Sequence, residues 1–169
     1  MPTPVLPDWS VSQWMNIPVA LSLADLRGKV VVIEAFQMLC PGCVSHGLPL
    51  AQEIDCLFPE RDVAVIGLHT VFEHHSAMGP VSLAAFLHEY GITFPVGIDE
   101  AGEDAIPVTM RRYGLRGTPS ILIVDKEGCL AHHYYGAVSA MQLGKDVAAL
   151  VAKAPQDTTC DIDGCRVPA

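Results

Sequence analysis

The chain has 169 residues, 50% of them hydrophobic and 17% charged, with a formal net charge of −9. That is one domain's worth of chain, long enough to bury a core without staples and too apolar to be disordered. The acidic balance excludes nucleic acid, which demands a basic footprint, and no apolar run reaches the length of a membrane-spanning helix.

The N-terminus, Met1-Pro2-Thr3-Pro4-Val5-Leu6-Pro7-Asp8-Trp9, has neither the basic region nor the apolar region of a signal peptide. The expectation from the sequence as written is a cytoplasmic protein, or a periplasmic one if a leader has been removed. Val30-Val31-Val32-Ile33-Glu34-Ala35-Phe36, bounded by Gly28, predicts a buried strand. Pro41 to Leu57 has helical periodicity, with Pro41 suited to a first turn. Val63 to Leu68 predicts a second buried strand, and Val81 to Tyr90 a helix stopped by Gly91. Phe94 to Ile98 predicts a short strand, and Ile106 to Tyr113 a helix closed by Gly114. Ser120 to Val124 and Cys129 to Tyr135 flank the turn Asp125-Lys126-Glu127-Gly128 and predict a hairpin. Ser139 is placed to cap a last helix that runs to about Lys153.

Strands alternating with helices and ending in a hairpin predict an α/β fold with a central mixed sheet and helices on both faces. Residues 1–154 form the expected domain, and residues 155–169 a polar tail containing Cys160 and Cys165.

Cys40-Pro41-Gly42-Cys43 stands where the first strong strand hands over to a helix. A helix N-terminus stabilises a thiolate, and the thiolate is the attacking species in disulfide exchange. A two-residue spacer lets the second sulfur close a disulfide with the first. Cys40, at the helix start, is the expected nucleophile and Cys43 the resolving thiol. Zinc sites also use such pairs, but zinc needs further ligands, and Cys160 and Cys165 have a poor spacing for that role. No dinucleotide-binding glycine pattern is present, so the chain is not expected to take electrons from a nicotinamide directly; the expectation is of no bound cofactor and, on the cysteine spacing, no resident metal.

The strand–CxxC–helix unit, Tyr113-Gly114-Leu115-Arg116-Gly117-Thr118-Pro119, the strand after it and Asp125-Lys126-Glu127-Gly128 together resemble the thioredoxin superfamily. Within it the chain is most similar to the thiol–disulfide reductases and redoxins that include the cytochrome-maturation thioredoxins. The resemblance spans about Leu23 to Val151 and implies a thioredoxin-like fold, with a helix and a strand inserted between the CxxC helix and the strand after Pro119. It implies a cis Pro119 beside the sulfurs, with Thr118 offering backbone to an extended substrate. It also implies that Glu34, six positions before Cys40, is a buried acid able to relay the proton of Cys43. The chain departs from the pattern at Leu39, where such proteins usually carry Trp, and in the order Pro41-Gly42. The implied activity is thiol–disulfide exchange on protein or small-molecule disulfides, with a separate thiol reductant resetting the pair and oligomeric state left open.

Two other readings share the fold. A peroxiredoxin-like peroxidase requires Pro and Thr or Ser seven and three positions before its reactive Cys. Those positions hold Ile33 and Gln37 before Cys40, and Phe36 and Cys40 before Cys43. A copper or zinc carrier is the other, favoured by His69, His74 and His75, with His69 at a strand end and His46 one turn after Cys43. Cys56 and Cys129 read as small buried residues. Cys160-Asp161-Ile162-Asp163-Gly164-Cys165 reads as an accessory disulfide, a second redox pair or a tail with free thiols.

Overall fold

The computed structural model describes residues 5–154, and Cys160 and Cys165 lie outside them. Six strands form one sheet in the order β1-β4-β3-β2-β5-β6: β1 Val11–Met15, β2 Val30–Phe36, β3 Val63–His69, β4 Val96–Asp99, β5 Ser120–Val124 and β6 Leu130–Tyr135. β2, β3 and β4 run parallel, while β1, β5 and β6 each join antiparallel to a neighbour. The helices are α1 Leu48–Leu57, α2 Pro80–Glu89, α3 Val108–Arg112 and α4 Ala140–Ala152. This is a thioredoxin-like α/β fold with a mixed sheet.

β2 lies at the centre and is buried along its whole length. Its side chains alternate between two cores, as the strand period requires. Val30, Val32 and Phe36 join the core formed with α1, α2 and α4, while Val31, Ile33 and Ala35 join the opposite one. Three helices cover the first face. The second is covered by short α3 and by the N-terminal segment through Leu6, Trp9, Leu23 and Leu26. At the start of α4, the Ser139 hydroxyl accepts from the Gln142 N–H at 3.2 Å, the expected cap.

The N-terminal strand β1 escapes a periodicity reading. Val-Ser-Gln-Trp-Met does not alternate, and none of its five residues is fully buried. Its pairing is decided by its partner: Gly97 of β4 leaves room for Val11, whose Cγ2 would lie 2.8 Å from a Cβ there. Trp14 in turn meets Trp9 edge-on at 5.5 Å.

Candidate active site

β2 ends at Phe36, and a short loop carries the chain to Cys40. Gln37 holds that loop: its carbonyl accepts from the Cys40 N–H at 3.2 Å, and its side-chain oxygen accepts from the Phe72 N–H at 3.1 Å. Residues 41–42 then open a helix that passes through a π turn, Cys43–Gly47, into α1. Cys40 is half-buried and Cys43 fully buried, both as free thiols.

The Cys43 N–H donates to the Cys40 sulfur at 3.4 Å, and the Cys40 thiol donates to the Thr118 carbonyl at 3.5 Å. Burial alone would raise the Cys40 pKa. Hydrogen bonds from the Cys43 thiol, the Thr118 side chain and the backbone N–H groups of Cys43 and Gly42 outweigh it and hold Cys40 below the ordinary thiol value. Burial moves Cys43 far the other way, and its hydrogen bond to Cys40 adds to the rise. Two thiols in one turn thus have their pKa values pushed in opposite directions.

The Thr118–Pro119 bond is cis. The Pro119 ring lies against the turn: its Cδ is 3.1 Å from where a Cβ of Gly42 would stand, and its Cβ 3.0 Å from that of Gly47. The same Gly47 opens the space for Glu34. A Cβ at Gly47 would stand 2.1 Å from Glu34 Oε1, so the carboxyl sits directly beneath the turn that carries Cys43. Glu34 is 0% exposed, and neither of its oxygens has a hydrogen-bond partner among the described residues. Burial raises its pKa well above the carboxylate range, and the Cys40 charge raises it further. Leu39, 58% exposed, stands beside Cys40 on the solvent side.

The histidines do not converge. His69 is buried, its ring 5.1 Å from that of Phe36, with both nitrogens unpartnered among the described residues. Burial lowers its pKa to about 4, and it does not figure among the causes that shift either thiol. His46 is exposed, 2.9 Å from the Ser45 hydroxyl. His75 contacts the Ala105 carbonyl at 3.3 Å. Among the described residues, no three His, Cys, Asp or Glu side chains come together as a metal site. Contrary to the sequence reading, Cys56 is exposed on α1, because its position faces away from the stripe formed by Leu50, Ala51 and Ile54; Cys129 is half-buried.

Gly42 and Gly47 carry no chemistry of their own, and the sequence reading passes over them. Their one legible signal is a glycine inside a helical stretch, which marks a close approach. A cleft of about 670 Å³ lined by Leu21, Asp55, Glu60 and Phe94 also includes Lys29 and Val63, at the opposite end of β2 and β3 from the thiols.

The fold and the paired thiols define a thioredoxin-fold protein with two cysteines in one turn at the end of the central strand. Residues 5–133 match the AhpC/TSA family, and the chain belongs to it. It is 59% identical to a solved thioredoxin-like superfamily protein, with a TM-score of 0.87 over 89% of this chain and 97% of that one. It is 48% identical to a solved thiol-disulfide isomerase from Corynebacterium glutamicum, with a TM-score of 0.86 over 90% and 98% of the two chains. The thiol-disulfide oxidoreductase ResA of Bacillus thuringiensis is 25% identical over 123 residues, 73% of this chain and 64% of ResA. The chain thus spans less than two thirds of ResA, and 17% of another curated relative, protein DipZ of Mycobacterium tuberculosis. Among the described residues, no helix is long and apolar enough to cross a membrane.

Proposed function

We propose that the chain reduces or exchanges protein disulfides with Cys40 as nucleophile and Cys43 as resolving thiol. The observation that carries this reading is the split between the two thiols: an accessible one with a lowered pKa and, one turn on, a buried one with a raised pKa. Cys40 thiolate attacks one sulfur of the substrate disulfide and forms a mixed disulfide; the other substrate sulfur leaves and takes a proton. Cys43 then gives its proton to Glu34 and attacks the Cys40 sulfur, and the second substrate sulfur leaves as a thiol. Two electrons pass from the dithiol to the substrate, and a separate thiol reductant returns them.

Glu34 fits the role of base because its pKa responds to the reaction. The Cys40 negative charge contributes to raising it. Mixed-disulfide formation removes that charge, so the carboxyl first releases its own proton to solvent and then, ionised, accepts the one on Cys43. Thr118 and Pro119 form the wall against which an extended substrate lies, with Leu39 at its flank.

Membership of the AhpC/TSA family favours testing a peroxide-reducing reading beside this one. Ile33 and Gln37 precede Cys40 where that chemistry needs Pro and Thr or Ser, and Gln37 is occupied in holding the Phe72 N–H. The deciding experiment mixes prereduced protein with insulin or with hydrogen peroxide. Wild type is expected to reduce insulin disulfides, Cys43→Ser to accumulate a mixed disulfide through Cys40, and Cys40→Ser to do neither. Rapid consumption of peroxide without insulin reduction would overturn the proposal.

A further inference from the structure

The position before Cys40 is Leu39, so the aromatic surface that such sites usually place there is missing. The structure supplies another aromatic from a distant element. Tyr135, the last residue of β6, pairs in register with Ser120, and the Gly136 N–H donates to the Pro119 carbonyl at 2.9 Å. Its ring lies over Gly117: a Cβ there would stand 2.7 Å from the tyrosine oxygen, 3.4 Å from Cε2 and 3.5 Å from Cζ. Gly117 is therefore buried beneath the ring and immediately precedes Thr118, whose carbonyl faces the Cys40 thiol.

Tyr135 itself is 62% exposed. Its neighbour Tyr134 has a structural task, donating its hydroxyl to Asp146 of α4. The Tyr135 side chain makes no hydrogen bond among the described residues; its hydroxyl end approaches the backbone at Gly117 while most of the residue faces water. It lies at the end of an edge strand, against Gly117, which precedes the Thr118 backbone that the proposed substrate would follow. Leu39, 58% exposed, follows buried Met38 on the Cys40 side. An amphipathic ring held by a β-ladder is a low-entropy contact surface.

The geometry points to Tyr135 as a substrate-contacting, specificity-determining residue that receives an apolar or aromatic side chain next to the substrate cysteine attacked by Cys40. This rests on the disulfide-exchange reading above. The ligand class is an extended peptide bearing a disulfide.

The test uses two cyclic disulfide nonapeptides that differ only in Phe or Ser beside one cysteine, each mixed with prereduced protein under single turnover at rising peptide concentration. Wild type is expected to bind the Phe peptide about three- to tenfold more tightly, the scale of one aromatic contact. Tyr135→Ser is expected to bring that ratio near one while leaving the limiting rate unchanged, and Tyr135→Phe to keep the preference. Gly117→Ala, whose Cβ displaces the ring while leaving it present, is expected to lose the preference as well. A preference that survives in Tyr135→Ser, or a limiting rate that falls equally for both peptides, would overturn the assignment. If wild type reduces neither peptide, the exchange reading itself fails and this assignment falls with it.

Discussion

The two thiols differ in surroundings far more than in chemistry. Cys40 gathers hydrogen bonds that favour its anion, and Cys43 is buried where an anion is disfavoured. In the reduced protein Cys40 is therefore expected to alkylate well ahead of Cys43 at neutral pH. Its rate should titrate below the ordinary thiol midpoint of 9.0. Iodoacetamide labelling read by mass spectrometry across pH checks this, and faster labelling of Cys43 would reverse the roles. Glu34→Gln keeps the size of the side chain and removes the proton acceptor. It is expected to slow insulin reduction by about 10²-fold, within the usual range for a lost general base. Mixed-disulfide formation should persist, because attack by Cys40 does not use that proton. An unchanged rate from pH 6 to 9 would leave Glu34 a structural residue.

The helix that carries the site is built around an absence of side chain. The π turn Cys43–Gly47 brings Gly47 over Glu34, where a methyl group has no room. Gly47→Ala is expected to destabilise the protein by about 1–3 kcal/mol, the usual cost of overpacking. In Gly47→Ala/Glu34→Ala the space vacated by the carboxyl accepts the new methyl, so the two effects should fall short of their sum by more than about 0.5 kcal/mol, the scale of coupling between contacting residues. Urea unfolding of the two single variants and the double variant measures this; simple additivity would mean the two residues do not share that space. The same contrast shows what a sequence can reveal. The Cys40–Cys43 pair, buried Glu34 and the strand–helix order are local patterns and are legible. The Gly47 opening, the Tyr135–Gly117 contact and the pairing of β1 arise between residues far apart in the chain, where no periodicity reports them. Pattern reading also misjudges Cys56, because residue type predicts burial only on average while its helix face decides it.

Across the whole molecule, burying Glu34 and His69 beside one core links stability to pH in opposite directions. Glu34 has a folded pKa raised above its ordinary 4.5, so the folded state holds a proton that the unfolded state gives up. Stability from this group falls as pH rises above about 4.5 toward the folded pKa. His69 has a folded pKa of about 4 against an ordinary 6.5, so the unfolded state binds a proton that the folded state refuses. Stability from it falls as pH drops from about 6.5 to about 4. Between those ordinary values the two slopes oppose each other; above them only Glu34 acts. His69→Phe retains an aromatic ring against Phe36 and removes the titration. Relative to wild type, the variant is therefore expected to gain about 3 kcal/mol as pH falls from 6.5 to 4, at about 1.4 kcal/mol for each pH step between the unfolded and folded midpoints. Glu34→Gln should diverge in the opposite sense, gaining on wild type as pH rises above about 4.5 toward the folded midpoint of Glu34. Urea unfolding of the three proteins at half-unit pH steps reads both differences. Curves for His69→Phe and wild type that run parallel below pH 6.5 would show that His69 protonates equally in both states, and so is not kept from water in the folded protein.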